Sequence, residues 1–157
     1  MKILTGNSNK NLSHKISKYL KHKFNKDIDL LSFDEIIICP SNPYVSINPM
    51  LQLSSLQDNL RKFPEKVTVI SPIVNSKSLK GPTAKMMLEL GHEISVNTIG
   101  EFYKNYSHRI FIDAADKKNS DFLTALGYEV HCSNLVMNNT LSKNKLADNI
   151  IKVLEGR

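Results

Sequence analysis

The chain has 157 residues and a net charge of +6, with 41% hydrophobic and 23% charged residues. This is one domain's worth of material with enough apolar content for a real core, and the balance excludes a disordered chain. Two cysteines, Cys39 and Cys132, exclude a disulfide framework and suit a reducing, cytoplasmic setting, and no apolar run nears the roughly 20 residues of a membrane span, so no membrane partner is expected.

The opening Met1-Lys2-Ile3-Leu4 is too short an apolar run for a signal peptide, and Gly6-Asn7-Ser8-Asn9 breaks it at once. Lys2 to Thr5 reads as a short buried strand. Leu12, Ile16, Tyr19, Leu20 and Phe24 fall at helical spacing and predict an amphipathic helix from about Asn11 to Phe24. Lys2, Lys10, Lys15, Lys18, Lys21, Lys23 and Lys26 all precede the first acid, Asp27. Two readings fit them, a solvated lysine face or a surface that attracts anionic ligands. Only Arg61, Arg109 and Arg157 are arginine, the residue that reads bases in bidentate fashion, so nucleic acid is not an expected partner.

From Glu35 the pattern sharpens. Ile36-Ile37-Ile38-Cys39 is a β-branched run ended by Pro40-Ser41-Asn42-Pro43. Ser54 or Ser55 starts a short helix that Pro64 ends. Val67-Thr68-Val69-Ile70 is a second strand, ended by Ser71-Pro72. A loop is expected from there to Gly81, which suits a helix N-cap, with Pro82 at the first helical position and a helix to about Leu90. Another helix is predicted in Val96–Tyr106, a strand at Ile110–Ile112, a helix from about Asn119 to Leu126, a strand from Tyr128 to His131 and a closing helix over Leu141–Leu154. Strands alternating with helices predict an α/β fold, a three-layer Rossmann-like sandwich on a mainly parallel sheet.

Ligands of such sheets bind beyond the carboxyl ends of the strands. The first such loop, Pro40 to Pro49, holds three prolines and several amide and hydroxyl groups without a carboxylate. It suits an anionic or heterocyclic ligand; equally, Asn42, Ser46 and Asn48 could satisfy turn backbone. The second loop carries Lys77 and Lys80 into Gly81, a phosphate site or surface charges. It is not a P-loop. Asp113, with Asp116 nearby, ends the third strand and could hold Mg²⁺ or cap a helix. The five histidines form no zinc pattern, Cys39 reads as core, and Ser71 lacks a nucleophile-elbow context.

Residues from about Glu35 to Ile151 resemble the carboxyl-terminal half of 2-phospho-L-lactate transferases. The resemblance is carried by Ile36-Ile37-Ile38-Cys39-Pro40-Ser41-Asn42-Pro43-Tyr44-Val45-Ser46-Ile47, Val69-Ile70-Ser71-Pro72-Ile73-Val74, Leu79-Lys80-Gly81-Pro82-Thr83-Ala84-Lys85-Met86-Met87, Ile110-Phe111-Ile112-Asp113 and Leu126-Gly127-Tyr128-Glu129-Val130. It implies transfer of a phospholactyl group, or its enolpyruvyl analogue, from a guanosine diphosphate-linked donor to a deazaflavin acceptor, with GMP leaving and Mg²⁺ as helper. It also implies that Pro40, Ser41, Asn42, Pro43, Ser46 and Ser71 line the donor site and that Lys80, Gly81 and Pro82 sit near the nucleotide. The family's glycine-rich start and its acidic, Gly/Asn-rich segments have no counterpart here, so the fold is expected to be partial relative to the family's. The first 24 residues instead resemble the start of ribose-phosphate pyrophosphokinases through Lys2-Ile3-Leu4-Thr5-Gly6-Asn7-Ser8-Asn9, without the later motifs of those kinases. The expectation is a single α/β domain over residues 1–157: a strand–helix unit at 1–24, a junction at 25–34 and a transferase-like region at 35–157. Apolar surface left by the missing half would invite a homodimer.

Overall fold

The computed structural model describes the backbone of Lys2–Leu4 and the residues from Glu35 to Gly156. The helix expected at Asn11–Phe24, the junction after it and most of the early lysines lie outside the described residues. So does the greater part of the pyrophosphokinase-like segment.

The strands are β1 (Lys2–Leu4), β2 (Ile36–Ile38), β3 (Val67–Ile70), β4 (Ile73–Val74), β5 (Lys77–Ser78), β6 (Arg109–Asp113) and β7 (Glu129–Ser133). Five of them form one sheet in the order β1-β2-β3-β6-β7, and every pairing is parallel. Residues of β2, β3 and β6 are buried throughout, which is why β2 and β3 run as unbroken β-branched stretches and β6 has an apolar centre, Ile110-Phe111-Ile112, rather than alternating. Alternation decides which face each side chain serves. Ile36, Ile38, Val67, Val69, Ile110 and Ile112 join one core, while Ile37, Ile70 and Phe111 join the other. Each fully buried isoleucine contributes roughly 1.5–3 kcal/mol relative to exposure.

The helices are α1 (Asn48–Leu51), α2 (Ser54–Lys62), α3 (Thr83–Glu89), α4 (Val96–Tyr103), α5 (Ser120–Ala125) and α6 (Thr140–Glu155). The first five lie in crossovers between parallel strands. Right-handed crossovers between strands taken in simple order put their helices on one face. Leu51, Leu60, Met87, Ile99 and Leu123 accordingly pack in the same core. Helix α6 follows the last strand and covers the opposite face through Leu146 and Ile150. Asn139 and Ser142 start it with a reciprocal capping box. Helices on both sides of a parallel sheet make the expected three-layer sandwich.

Arg109, at the amino end of β6, joins β3, β7 and the segments that lead into β2 and β3. Its guanidinium donates to Thr68 Oγ1 at 3.0 Å and to the Glu65 carbonyl, and pairs with Glu35 at 3.2 Å and Glu129 at 3.4 Å. The side chain is 3% exposed. A planar fork with five donors can meet that many acceptors, and a lysine cannot.

Candidate functional site

The first loop does not stay irregular. Pro43–Ile47 forms a π-helical turn that runs into α1. Asn42 organises it: its Oδ1 accepts from the amides of Tyr44 (2.9 Å) and Val45 (3.2 Å), while Pro43, with no N–H to satisfy, takes the first position. The backbone-satisfying reading of Asn42 is therefore true of its oxygen. Its amide nitrogen does something else. Nδ2 donates to Met86 Sδ at 3.2 Å, although Asn42 is only 8% exposed. A thioether is a weak acceptor, so a buried amide donor is left poorly satisfied. Pro40, Ser41 and Pro43 are buried beside it, and Ser46 is half-buried.

Tyr44 begins a row of rings. It lies parallel to His92 at 6.2 Å and edge-on to Phe102 at 5.8 Å, and Phe102 meets Tyr103 at 4.8 Å. This row braces the turn against α4. Burial pushes the Tyr44 hydroxyl above its ordinary pKa.

The second loop is also more ordered than expected. Ser71 Oγ is fully buried; it donates to the Ile73 carbonyl and accepts from the Ile73 amide. β4 and β5 then pair as an antiparallel hairpin, Ile73 with Ser78 and Val74 with Lys77. Its two-residue turn, Asn75-Ser76, has φ of 47° and 58°. Two consecutive positive φ angles define the turn whose twist matches a hairpin, and Asn tolerates that region best after Gly. The stretch read as a loop is thus a hairpin whose short strands gave no periodic signal.

The hairpin delivers the chain to α3. Leu79 donates its amide to the Pro72 carbonyl at 2.8 Å, and Ser78 Oγ donates to the Gly81 carbonyl at 3.0 Å. Gly81 has φ +68° and open space around it, and Pro82 occupies the N-cap position of a helix that begins at Thr83. Gly81 is not the N-cap that the sequence suggested. It makes the left-handed reversal one residue earlier, which places both residues outside the helix. Lys80, Gly81 and Pro82 are exposed. Neither Lys77 nor Lys80 has an ion-pair partner among the described residues. Thr83 is 0% exposed, and its hydroxyl has no hydrogen-bond partner among the described residues. It stands three residues before Met86, on the same face of α3.

Asp113 caps the turn that follows β6, and Asp116 bonds to the turn of the β4–β5 hairpin. Asp113 Oδ1 accepts from Ala115 N at 3.0 Å and Oδ2 from Leu135 N at 2.8 Å. Asp116 Oδ2 accepts from Asn75 N at 2.8 Å. Among the described residues no group of three or more His, Cys, Asp or Glu could hold a metal ion. Cys39 is core, 1% exposed, as read from the sequence.

The two loops expected to carry the site thus meet at the carboxyl ends of adjacent strands, joined by Asn42 and Met86. Sequence reasoning missed Thr83, Met86 and Asn75. A threonine and a methionine inside an apolar helical pattern carry no local signal, whereas Asn75-Ser76 between two β-branched-compatible pairs was a legible turn dipeptide. A cavity of about 260 Å³ lies elsewhere, lined by Ser133, Asn134, Asn139, Ser142, Lys145 and Asn149 among others, and shares no residue with these loops. No helix among the described residues is long and apolar enough to cross a membrane.

Comparison with known proteins covers both loops. Residues 26–144 match the family described as 2-phospho-L-lactate transferase CofD. A 2-phospho-L-lactate transferase of Methanocaldococcus jannaschii is 39% identical over 119 residues, which is 76% of this chain and 37% of the relative. One from Methanosarcina barkeri is 27% identical over 97% of this chain and 45% of its own length. One from Methanococcoides burtonii is 30% identical over 79% of this chain and 40% of its own. The chain thus spans less than half the length of each of these three relatives.

Proposed function

Because the chain belongs to the 2-phospho-L-lactate transferase CofD family, we propose that it binds a guanosine diphosphate-linked donor and serves transfer of its phospholactyl or enolpyruvyl-phosphate group to a deazaflavin. The ribityl hydroxyl oxygen bonds to the acid-bearing phosphorus, the phosphoanhydride bond to GMP breaks, and the hydroxyl proton departs to a base. Such a transfer depends on positioning and on neutralising phosphate charge more than on covalent help.

One observation carries this reading: Asn42 and α3, brought together from separate loops, present buried polar groups without adequate partners. Among the described residues the Asn42 amide nitrogen reaches only the Met86 thioether, and the Thr83 hydroxyl has no hydrogen-bond partner. Native interiors rarely leave such groups unpaired, and a ligand is one reason to do so. The role proposed for Asn42 and Thr83 is to hydrogen-bond the donor, that of Pro40, Ser41, Pro43, Ser46 and Ser71 to shape and stiffen its bed, and that of Lys80 beside Gly81 and Pro82 to balance phosphate charge.

A second reading, a nucleotide-binding module without turnover, is favoured by Asp113 and Asp116, whose carboxylates are engaged by backbone amides. Incubating the folded chain with the guanosine diphosphate-linked lactate and a deazaflavin separates the two. Acceptor-dependent GMP release supports the transferase. Donor binding without GMP selects the module. Absence of donor binding overturns both.

A further inference from the structure

We infer that Asp116 is a positioning residue which holds the β4–β5 hairpin so that Lys80 stands over the phosphates of the bound nucleotide; the inference rests on the nucleotide reading above. Asp116 is 5% exposed, yet its carboxylate makes its hydrogen bond to the backbone amide of Asn75, 41 residues away in sequence. Asn75 is the first turn residue of the hairpin. It and Ser76 both sit at positive φ, a conformation that costs a non-glycine residue on the order of 1 kcal/mol. A two-stranded ribbon of two residues per strand is marginal on its own. Something must hold it in place, and a charge-assisted bond to a buried carboxylate does so.

Holding the hairpin also fixes the chain beyond it. From Asn75 the chain runs five residues to Lys80, with Leu79 tied to Pro72 and Ser78 tied to Gly81. The Lys80 backbone is therefore fixed on both sides, while its ammonium is free of ion pairs among the described residues. A cation without an ion pair among the described residues, on a rigid stem three residues before the buried Thr83, suits a phosphate. The acid is thereby used at one remove: Asp116 carries no ligand itself and sets the place of the lysine that does.

The test compares affinities for GDP and for guanosine, which lacks the phosphates. Asp116→Ala should weaken GDP binding about tenfold and leave guanosine binding within about twofold. Asp116→Asn, which keeps the shape and an acceptor oxygen, should lose only about threefold. Lys80→Ala should weaken GDP about as much as Asp116→Ala, and the double variant should lose little more than either, because both act through one contact. Protection of the Asn75 amide against hydrogen exchange should fall in Asp116→Ala. GDP binding by the wild type that is unchanged in Asp116→Ala, or losses that add fully in the double variant, overturn the inference and leave the nucleotide reading standing. If Asp116→Ala does not fold, GDP affinity in Asp116→Asn equal to wild type overturns it. No GDP binding by the folded wild type removes the nucleotide reading and the inference together.

Discussion

Thr83 concentrates the functional question at the scale of single residues. A fully buried hydroxyl with no partner costs stability on the order of 1–3 kcal/mol. Thr83→Val replaces it by a methyl of nearly the same volume. The free protein should therefore gain about 1–2 kcal/mol, read as a higher urea midpoint, and GDP should bind about tenfold more weakly. A stabilised variant with unchanged affinity would make Thr83 an ordinary imperfection of packing. Asn42 was legible from sequence as a candidate, because an amide between two prolines at a strand end is a recognisable turn residue. Thr83 is, in sequence, only one residue of a matching segment, since burial and lack of a partner exist only in three dimensions. Sequence showed Asp113 as either metal ligand or cap; its oxygens accept from the amides of Ala115 and Leu135.

Between elements, close approach sets the tolerances. α4 passes α5 at Gly100, where an added Cβ would stand 2.4 Å from Leu123 Cδ2, and Leu123 is fully buried. Gly100→Ala should cost about 1–3 kcal/mol in unfolding free energy. Adding Leu123→Ala should cost less than its effect in the wild type, because the cavity it leaves accommodates the new methyl. Additive losses would show that the contact is not the cause. Arg109 is the corresponding point at the far end of the sheet. Arg109→Met removes the ion pairs with Glu35 and Glu129 and the hydrogen bonds to Thr68 and Glu65, and should cost about 3–5 kcal/mol in a urea titration. Arg109→Lys should lose less, keeping charge without the fork. A loss below about 1 kcal/mol for Arg109→Met would contradict the clamp. The strands and helices from Ile36 onward were readable because β-branched runs and helical periodicity are local. The β4–β5 hairpin was not, because two-residue strands are too short to show a period and depend on Asp116 for support.

The whole molecule couples these parts through its core, and the buried Tyr103 and Tyr128 report on it. Burial raises Tyr103 and Tyr128 well above the ordinary value of 10.0; Tyr128 also donates its hydroxyl to the Gly100 carbonyl at 2.7 Å. Below pH 10 both folded and unfolded chains keep these protons, and the two groups add no pH dependence. Above it the unfolded chain ionises first, so it binds fewer protons than the folded one and stability falls as pH rises, by up to about 1.4 kcal/mol per unit for each group. Urea midpoints taken from pH 9 to 11 should drop, and the slope should be shallower in Tyr128→Phe. An identical slope in that variant would contradict the assignment. At this scale the sequence foretold the three layers, since alternating apolar strands and helices leave few other solutions. It could not show that Asn42 and α3 lie against each other, because that contact spans 44 residues and a thioether.

The central claim is that these two loops form one guanine-nucleotide site. Calorimetric titration of the folded chain with GDP, beside Asn42→Asp, tests it most directly. That substitution keeps the oxygen that caps the Tyr44 and Val45 amides and removes the amide donor. The account predicts saturable binding by the wild type and at least tenfold weaker binding by a variant of similar stability. No saturable binding, or equal affinity in the two proteins, would contradict it.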